Sequence, residues 1–400
     1  MTAFAIRFVR LMAACLAVPV LAIAWCLRCN VRFRLCVVGA HRFGHLALEP
    51  EMWLSNKALN PRKHGPVEVD IWSLGSRRIR SNSYLAELWS RRLRRPPSWV
   101  VGALVRAGEW VPPLALERPA LSIHGPRNGL DRSPRQCPDA APFSDRERRE
   151  LFEQGFDVAR PYAALVVRDS AYYAARGEKE DSHLALLNAD LSDFIPACRL
   201  LAASEVQVVR LGGPSHQRLP EISGCLDYAN SAVRSAELDV KLPMSCRFAI
   251  ATQTGPDAVA LLARRPVLYV NVLRFSQFFF GTELATWFPM RFVDAERQLP
   301  WSIFKLGSSQ LLSAKDPREF AESGITFVRA SADEVSALVA DFVDELENGV
   351  DQQTIELRNK VNSALQQQMQ PWGESRFGDI AARVSRQWLS INQAWWLANI

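Results

Sequence analysis

The sequence lacks several signatures that would assign it to a large enzyme class. Neither G-x-x-x-x-G-K-[ST] nor G-x-G-x-x-G follows any segment that reads as a strand, which argues against a nucleoside triphosphatase and a standard dehydrogenase. The eight cysteines lack the dense spacing of a secreted disulfide scaffold, so we expect reduced thiols in the cytoplasm. With 48% hydrophobic and 22% charged residues, the composition excludes a disordered or fibrous chain.

One set of residues has the spacing of a metal site. Cys26, Cys29, His41 and His45 follow the pattern C-x2-C-x11-H-x3-H, which is close to that of a small zinc finger. Cys26, however, ends an apolar run, and the intervening NVRFRLCVVGA reads as a single strand rather than a hairpin. We therefore predict no metal site and no cofactor.

Basic residues outnumber acidic ones, and the net charge is +6. This charge suggests an anionic neighbour, such as a nucleotide, a phosphate-bearing lipid or a membrane surface. One cluster of arginines has two explanations. It can be a solvated face of the protein, or it can attract anionic lipid, which is worth about 1 kcal/mol per basic residue. Its members lie on either side of a short predicted helix: Arg77, Arg78, Arg80, Arg91, Arg92, Arg94 and Arg95.

The N-terminus contains an apolar run, LMAACLAVPVLAIAWCL at 11–27, with arginines on both sides. As a helix it would be about 25 Å long, slightly short of the roughly 30 Å hydrocarbon core. A membrane anchor, a secretory signal with a cleavage pattern at Ala22-Ile23-Ala24, and a buried soluble helix are the alternatives. Arg28, Arg32 and Arg34 hinder translocation of the chain that comes after them, so we expect an anchor and a main body at the cytoplasmic face of the inner membrane.

The first part of the body reads as β-α-β-α. RFRLCVVGA and VEVDIWSLG have strand composition, and HRFGHLALEPEMWLSNKAL and NSYLAELWSRRL have helical spacing. This order predicts a parallel sheet covered by helices. Five prolines then mark residues 116–144 as an irregular linker, and FSDRERRELFEQGF begins a helix with a capping box formed by Ser144 and Glu147.

A second alternation begins at Tyr162. We predict strands in YAALVVRD, VQVVRLG, CLDYANS, RFAIAT and PVLYVNV, and helices in DFIPACRLLAAS, AELDVKLPMS and PDAVALLARR. Residues 332–399 read as consecutive helices. The predicted fold is therefore α/β, with two Rossmann-like domains facing a cleft. Its parts are an anchor helix at 1–29, a first domain with the linker at 30–150, a second domain at 151–345, and C-terminal helices at 346–400 packing back on the domains.

Polar side chains follow two strands of the second alternation, where open parallel sheets bind ligands. Arg168 and Asp169 end the strand YAALVVRD, so the guanidinium can reach a phosphate while the carboxylate holds the arginine in place or accepts from a hydroxyl. Thr252, Gln253, Thr254 and Gly255 follow the strand RFAIAT before a helix with Pro256 at its first position. The amides near Gly255 and Asp257, with the hydroxyls of Thr252 and Thr254, can surround an anion. Charges that merely cap a strand end, and an ordinary helix cap, are the structural alternatives.

The strand in the first alternation ends at Gly39, and His41 and His45 lie around the next turn. Histidine readily transfers a proton near neutral pH. A helix-capping or partly buried histidine is the alternative reading of each. We predict His45 as the general base and His41 as a second candidate, with Glu49 or Glu51 to be considered after them.

Together these segments resemble a family. RFGHLALEPEMWL, LVVRDSAYY, LLNADLSDFIPACRLL, VQVVRLGG, LDYANS and FAIATQTGPDAVALLARRPVLYVNV are similar to segments of bacterial GT-B glycosyltransferases linked to surface polysaccharide synthesis. The similarity covers about 34–345, and the second half also looks distantly like fucosyltransferases. Leu187 stands where the family usually has an arginine, and Val166 where a histidine often precedes Arg168.

The resemblance implies that the second domain holds a nucleotide sugar and the first an acceptor. No D-x-D follows a strand, so a metal-dependent GT-A enzyme is disfavoured. The implied partners are a nucleotide-sugar donor, a surface-glycan or lipid-linked acceptor and the membrane surface, without nucleic acid. The expected donor-binding residues are Arg168, Asp169, Ser170, Asn188, Asp190, Arg210, Thr252, Gln253, Thr254, Gly255 and Asp257.

We therefore predict a glycosyltransferase that acts without a metal. A nucleotide-sugar epimerase on the same fold is one alternative, although such enzymes need no membrane anchor. A catalytically silent membrane-bound scaffold is another, since Leu187 and Val166 depart from the family pattern. Turnover of nucleotide sugars would distinguish the three.

Overall fold

The computed structural model describes most of the chain, which forms two compact units. Unit 1 consists of Met1–Ile123 and Gln136–Asp139, and unit 2 of His124–Arg135 and Ala140–Ile400. The described residues are 3–61, 64–123, 130–171, 187–213, 215–273, 275, 278, 281–300, 302–303, 311, 317–369 and 380–391.

Unit 1 begins with a long apolar helix and continues as a small α/β layer. Its elements are α1 (Ala3–Cys26), β1 (Val31–Val37), α2 (Phe43–Leu59), β2 (Val67–Ser73), α3 (Ser83–Arg92) and α4 (Ser98–Trp110). β1 and β2 are parallel, with Val31 opposite Val67 and Val37 opposite Ser73. The predicted β-α-β-α order is confirmed. The two strands are the whole sheet in the described part of unit 1, so its sheet is smaller than the Rossmann-like one that we expected.

A charged cluster lies between this sheet and α2. The Arg34 guanidinium donates to Asp70 Oδ1 at 2.9 and 2.7 Å, while Asp70 Oδ2 accepts from Trp53 Nε1 at 2.9 Å and Lys57 Nζ at 2.8 Å. Burial acts to raise the pKa of Asp70, but the hydrogen bonds from Lys57, Trp53 and Arg34 hold it below the usual value. Where α2 covers the sheet, the packing includes ion pairs of Asp70 with Arg34 and Lys57, and this pairing makes the burial of the charges tolerable.

Unit 2 contains a seven-stranded parallel sheet. Its first strands and helices are α5 (Asp145–Glu153), β3 (Tyr162–Val166), α6 (Ile195–Ala203), β4 (Gln207–Arg210), β5 (Cys225–Leu226), α7 (Leu238–Ser245), β6 (Phe248–Ala251), α8 (Asp257–Leu262) and β7 (Val267–Val272). They are followed by β8 (Ala285–Pro289), β9 (Arg291–Asp294), α9 (Pro317–Glu322), β10 (Ile325–Val328), α10 (Ala332–Asn348), α11 (Gln352–Met369), β11 (Arg383–Val384) and α12 (Arg386–Ile391).

The strand order in this sheet is β11-β8-β7-β6-β3-β4-β5. The chain runs outward from β3 through β4 to β5, returns to β6 on the other side of β3, and then continues to β7 and β8. This is the Rossmann order 3-2-1-4-5-6 with β11 added at one edge. The direction in which the chain adds strands to the sheet therefore reverses between β3 and β6.

The core of unit 2 lies between the sheet and two helices, α6 and α10. Phe194, Phe248 and Phe342 are almost fully buried in one apolar cluster, and the rings of Phe248 and Phe342 meet edge to face at 5.6 Å. α10 begins at a capping box formed by Ser331 and Glu334. The capping box predicted for α5 is also present, with Ser144 and Glu147 in reciprocal hydrogen bonds.

Two predictions about this unit need correction. Only Cys225–Leu226 of the predicted strand CLDYANS is extended, because the chain turns into a short 3-10 helix at Tyr228–Asn230. Residues 332–399 do not form helices throughout, because Arg383–Val384 forms β11 and pairs with Thr286–Trp287 of β8. Residues 370–379 and 392–400 of that span lie outside the described residues.

A buried ion pair joins the C-terminal elements. Arg358 of α11 donates to both carboxylate oxygens of Glu345 at 2.9 and 2.7 Å and to the carbonyl oxygen of Val384 at 2.8 Å. Arg383 also lies 3.2 Å from Glu345. One carboxylate thus pairs with two arginines, and these contacts hold α10, α11 and β11 together.

We expect Glu345→Gln to lower the free energy of unfolding by about 3 kcal/mol, because it leaves buried guanidinium groups without their counter-charge. Urea unfolding followed by circular dichroism measures the change. Glu347→Gln is the matched control, since Glu347 pairs with Arg247 at the surface and should change stability by less than about 1 kcal/mol. Equal effects of the two substitutions would contradict the role given to Glu345.

Candidate functional site

The carboxyl ends of β3 and β6 mark the place in unit 2 where a ligand site is expected. The two strands are parallel neighbours, with Val166 opposite Ala251, so the chain leaves both at the same edge of the sheet. The strand order reverses between them, and open α/β sheets bind ligands at such a reversal.

Arg168 lies at this reversal and is fixed there by its backbone. Its amide donates to Thr252 Oγ1 at 3.1 Å, and its carbonyl oxygen accepts from the amide of Ala189 at 3.0 Å. Thr252 is buried, whereas Arg168 is only half-buried. The structure thus brings Arg168 and Thr252 together, and it uses the hydroxyl of Thr252 to position the backbone of Arg168.

Asp169 has different partners from the one that we predicted. Its Oδ1 accepts from the amide of Ala171 at 2.9 Å, and its Oδ2 accepts from Ser215 Oγ and from the amide of His216 at 3.1 Å. Both carboxylate oxygens are thus engaged by amide and hydroxyl donors. Asp169 therefore holds the loop after β4 instead of orienting the arginine.

Arg210 ends β4 and supports the same loop. Its side chain is buried and donates to Ser215 Oγ, to the carbonyl oxygen of Gln217 and, at 3.2 Å, to Asp227 Oδ1. We expected Arg210 to bind a donor directly. The contacts instead make it a support for the loop 215–219, which lies beside Asp169.

The turn after β6 is held by a buried carboxylate. Asp257 Oδ1 accepts from the amide and the hydroxyl of Thr254 at 3.1 and 2.9 Å, and Asp257 Oδ2 accepts from the hydroxyl of Tyr269 at 2.7 Å. Burial raises the pKa of Asp257 to about 6, although the bonds from Tyr269 and Thr254 act to lower it. Thr254 and Asp257, both predicted to bind a donor, therefore bind each other.

Gln253 joins the same turn to the next strand. It has a positive φ of 32°, and its Oε1 accepts from the amide of Leu273, just after β7, at 3.0 Å. Gly255 is half-buried between Gln253 and α8. The ends of β6 and β7 are thus tied together in the same way as the ends of β3 and β6.

The remaining predicted residues are close to Arg168 in the sequence, or are neighbours of Ala189, whose amide bonds to the carbonyl oxygen of Arg168. Ser170 is exposed and Asn188 is half-buried, next to the Ala189 that bonds to Arg168. Asp190 caps the 3-10 helix Leu191–Phe194 through the amide of Ser192 at 2.9 Å. Leu187 and Val166, which depart from the family pattern, are both buried apolar residues.

Unit 1 contains a histidine–carboxylate pair. His45 Nδ1 lies 2.7 Å from Glu49 Oε1, one helical turn further along α2, and Glu49 Oε2 accepts from the amide of Gly39 at 2.7 Å. Because a carboxylate only accepts, Nδ1 carries a proton, and in the neutral imidazole Nε2 is then the nitrogen with the lone pair. The side chain of His45 is 31% exposed and that of Glu49 only 8%. A fixed carboxylate thus orients an accessible base.

Gly39 permits this arrangement through its lack of a side chain. A Cβ atom at this position would lie 3.2 Å from His45 Cβ, so a larger residue would displace the imidazole. His41, on the same turn, is exposed and has no hydrogen-bond partner among the described residues. The geometry favours His45 over His41 as the base, and it makes Glu49 the partner of the base and not a substitute for it.

Glu51, the other carboxylate considered as a base, is fully buried. Its oxygens accept from the amides of Gln136 and Cys137 at 2.9 to 3.0 Å. It therefore attaches the segment Gln136–Asp139 to unit 1. Cys26 and Cys29 of the zinc-like pattern are exposed, and no group of three or more metal-binding side chains occurs in the part of the chain that the structure describes.

Sequence reasoning missed the loop after β4. Ser215, His216 and Gln217 contact Asp169, Arg210 and the amide of Leu191, and the side chain of His216 is exposed at this edge. The signal was present, since GGPSHQ directly follows a strand end. Tyr172, which also follows β3 in the sequence, lies outside the described residues.

No protein family model and no curated protein matches the chain. Among solved structures, ADP-heptose lipopolysaccharide heptosyltransferase II of Escherichia coli is similar at 13% identity, over 64% of this chain and 90% of that chain, with a TM-score of 0.38. A glycosyltransferase family 9 protein of Veillonella parvula is similar at 8% identity, over 66% and 87%, with a TM-score of 0.40.

The E. coli heptosyltransferase WaaC with ADP is similar at 14% identity, over 60% of this chain and 87% of that chain, with a TM-score of 0.32. These matches are heptosyltransferases and a family 9 relative, and they give no support to the expected likeness to fucosyltransferases. Since a TM-score under 0.5 does not establish a shared fold, any function has to be derived from the residues of this chain.

Asp257 should make stability depend on pH. Its pKa is about 6 in the folded state and about 3.9 when unfolded, so the folded state binds more protons between these values. Its contribution to stability is present below pH 4 and is lost as the pH rises through 6. Relative to Asp257→Asn, the wild type should lose about 2 to 3 kcal/mol over this range.

Urea unfolding at several pH values between 3 and 7 measures this difference, with the effect of Asp257 between pH 4 and 6 and that of Asp190 below pH 4. Asp190→Asn is a control of opposite sign, because the backbone and side-chain hydrogen bonds from Ser192 lower the pKa of Asp190. The stability that Asp190 contributes is present at neutral pH and is lost as the pH falls. Parallel curves for wild type and Asp257→Asn would show that the carboxyl titrates normally.

Proposed function

We propose that the chain is a glycosyltransferase that moves a sugar from a nucleotide-sugar donor to a surface-glycan or lipid-linked acceptor. The observation that carries the proposal is the fixed position of Arg168 where the strand order of a Rossmann-type sheet reverses. A planar guanidinium can bind a diphosphate with two parallel hydrogen bonds. Unit 2 accordingly binds the donor, and unit 1 binds the acceptor.

The residues around Arg168 are suited to this role in different ways. Thr252 and Ala189 fix its backbone, while the carboxylate of Asp169 is engaged by Ser215 and His216 and shapes the neighbouring loop. The turn at Thr254 already holds the carboxylate of Asp257. Arg168 therefore binds the phosphates, and the turn at Thr254 positions the groups next to it.

The second chemical requirement is a base for the acceptor hydroxyl. In the proposed reaction, a bond forms between the acceptor oxygen and the anomeric carbon while the bond from that carbon to the diphosphate breaks. The hydroxyl proton moves to Nε2 of His45, and Glu49 stabilises the imidazolium that results. The departing nucleoside diphosphate keeps its negative charge beside Arg168.

The membrane association is part of the same proposal. The stretch Arg7–Cys29 is long and apolar enough to cross a membrane by length and composition. We place the protein at the cytoplasmic face of the inner membrane, where a lipid-linked acceptor would be available. The donor and the acceptor would then reach the enzyme from the cytoplasm and the bilayer respectively.

Arg168→Ala should weaken binding of nucleoside diphosphates by about ten- to a hundredfold, because it removes a charge-assisted contact worth roughly 1.5 to 3 kcal/mol. Arg168→Lys should recover only part, since an ammonium cannot form the planar two-pronged contact. Isothermal titration calorimetry with a panel of nucleoside diphosphates measures both effects.

Arg247→Ala is the matched control for this experiment. Arg247 precedes β6 at the opposite, amino edge of the same sheet, where its amide bonds to the carbonyl oxygen of Tyr162 at 2.8 Å. It should leave nucleotide binding unchanged. If Arg168→Ala binds nucleotide as tightly as this control, Arg168 serves only to close the end of its strand.

His45→Ala should lower kcat by about 10² to 10⁴ with nearly unchanged nucleotide affinity, because it removes the base but not the donor site. Imidazole added to the variant should restore part of the rate. Glu49→Gln should also lower kcat, because it disturbs the orientation of the ring, whereas His41→Ala should have little effect. Transfer of labelled sugar to membrane extract provides the assay. Full activity of His45→Ala would overturn the assignment. If the variant is inactive and added imidazole does not restore activity, the role of His45 is structural.

A further inference from the structure

We infer that α1 lies in the plane of the membrane interface beside α4, and does not cross the bilayer. The surface concerned is the exposed apolar face of α1 together with Trp99 and Trp110 of α4, and its partner is an anionic lipid bilayer. This mode of membrane contact does not depend on the transferase activity.

One face of α1 is already occupied by unit 1. Ala17 and Leu21 are buried against Ala103 and Ala107 of α4, and further apolar contacts come from Ala13, Val18, Leu104, Leu114 and Leu116. The small side chains of α4 let the two helices approach closely. The middle of α1 is therefore fixed to α4 along one side.

The structure attaches this helix pair to the polar part of unit 1. Leu116 packs against the helix pair, and the carbonyl oxygen of the next residue, Glu117, accepts from the amide of Leu35 in β1 at 2.8 Å. α4 also exposes two charged residues, Arg106 and Glu109. If α1 crossed the bilayer in this arrangement, α4 would have to carry these charges into the hydrocarbon, where they are strongly disfavoured.

The opposite face of α1 is apolar and exposed from Phe8 to Ile23. Phe8, Met12, Leu16, Val20 and Ile23 recur every three or four residues, and Leu16 is 70% and Ile23 61% exposed. A stripe of this kind, about 24 Å long over residues 8–23, is the pattern of a helix that lies in the interface with one face in the acyl region.

Charged and aromatic residues fit the same orientation. Arg7, Arg10 and Arg28 lie at the two ends of α1, are exposed and make no ion pair with any described residue, so they can contact anionic headgroups. Trp99 is 68% and Trp110 44% exposed at the two ends of α4, and tryptophan concentrates at the membrane interface. The charge pattern therefore selects an anionic bilayer over an apolar protein surface.

The depth of three positions on the exposed face tests the inference. In full-length protein with Cys15, Cys26 and Cys29 changed to serine, Phe8→Cys, Leu16→Cys and Ile23→Cys each carry a polarity-sensitive fluorophore. The vesicles contain phosphatidylcholine and phosphatidylglycerol with nitroxides at a shallow or a deep position of the acyl chain. An in-plane helix predicts stronger quenching by the shallow nitroxide at all three positions.

A crossing helix predicts a different pattern, in which Leu16→Cys is quenched mainly by the deep nitroxide and the two end positions by the shallow one. That result would overturn the inference, as would an absence of quenching at all three positions. The same vesicles test the contribution of charge. Arg28→Gln should reduce binding by about fivefold on anionic vesicles and have little effect on vesicles of phosphatidylcholine alone.

Trp99→Ala tests the participation of α4. It should reduce binding to anionic vesicles in a sedimentation assay, whereas Phe152→Ala, which removes an apolar side chain that is 67% exposed in unit 2, should not. Equal binding of Trp99→Ala and wild type would exclude α4 from the membrane surface. Circular dichroism of each variant confirms that the helices are retained.

Discussion

Parallel pairing of β3 with β4 on one side and β6 on the other is the constraint on which the candidate donor site depends. It brings the carboxyl ends of these strands to one edge of the sheet, although β3 and β6 are separated by some eighty residues of chain. The amide of Thr252 bonds to the carbonyl oxygen of Val166, and the amide of Arg168 bonds to Thr252 Oγ1, so that both backbone and side chain join the two ends. The arginine can serve an anionic ligand because its backbone is held before any ligand arrives.

Buried and half-buried carboxylates hold most of the other groups around the two candidate sites in place. Asp169 holds the loop after β4, Asp257 holds the turn after β6, and Glu49 holds His45. Each accepts a hydrogen bond from at least one backbone amide or hydroxyl, so its oxygens are satisfied inside the protein. For that reason an acidic residue near a strand end is poor evidence for ligand binding, whereas a half-buried guanidinium at a sheet reversal is better evidence.

The extent to which the sequence predicts this structure depends on the range of the interactions. The strands from β1 to β7 and the helices among them are visible in local composition and period, except for α4, which was not predicted, and for most of the strand expected at β5. The capping box at Ser144 is visible as well. β11 is not, because two residues become a strand only through pairing with β8, about a hundred residues earlier. The pair of His45 and Glu49 was accessible from its spacing of four on a helix, although Glu49 was taken for an alternative base.

The partners of Asp169 and Asp257 were not accessible in this way. Ser215 is 46 residues from Asp169, and Tyr269 reaches Asp257 from a separate strand, so only the folded sheet brings each pair together. The same is true of α1. Its composition alone fits a spanning helix as well as an in-plane one, and the contact of Ala17 and Leu21 with α4 is what distinguishes them. In the proposed reaction, an in-plane helix would also restrict the protein to the surface on which a lipid-linked acceptor diffuses, which would raise the effective concentration of that acceptor without any additional contact to it.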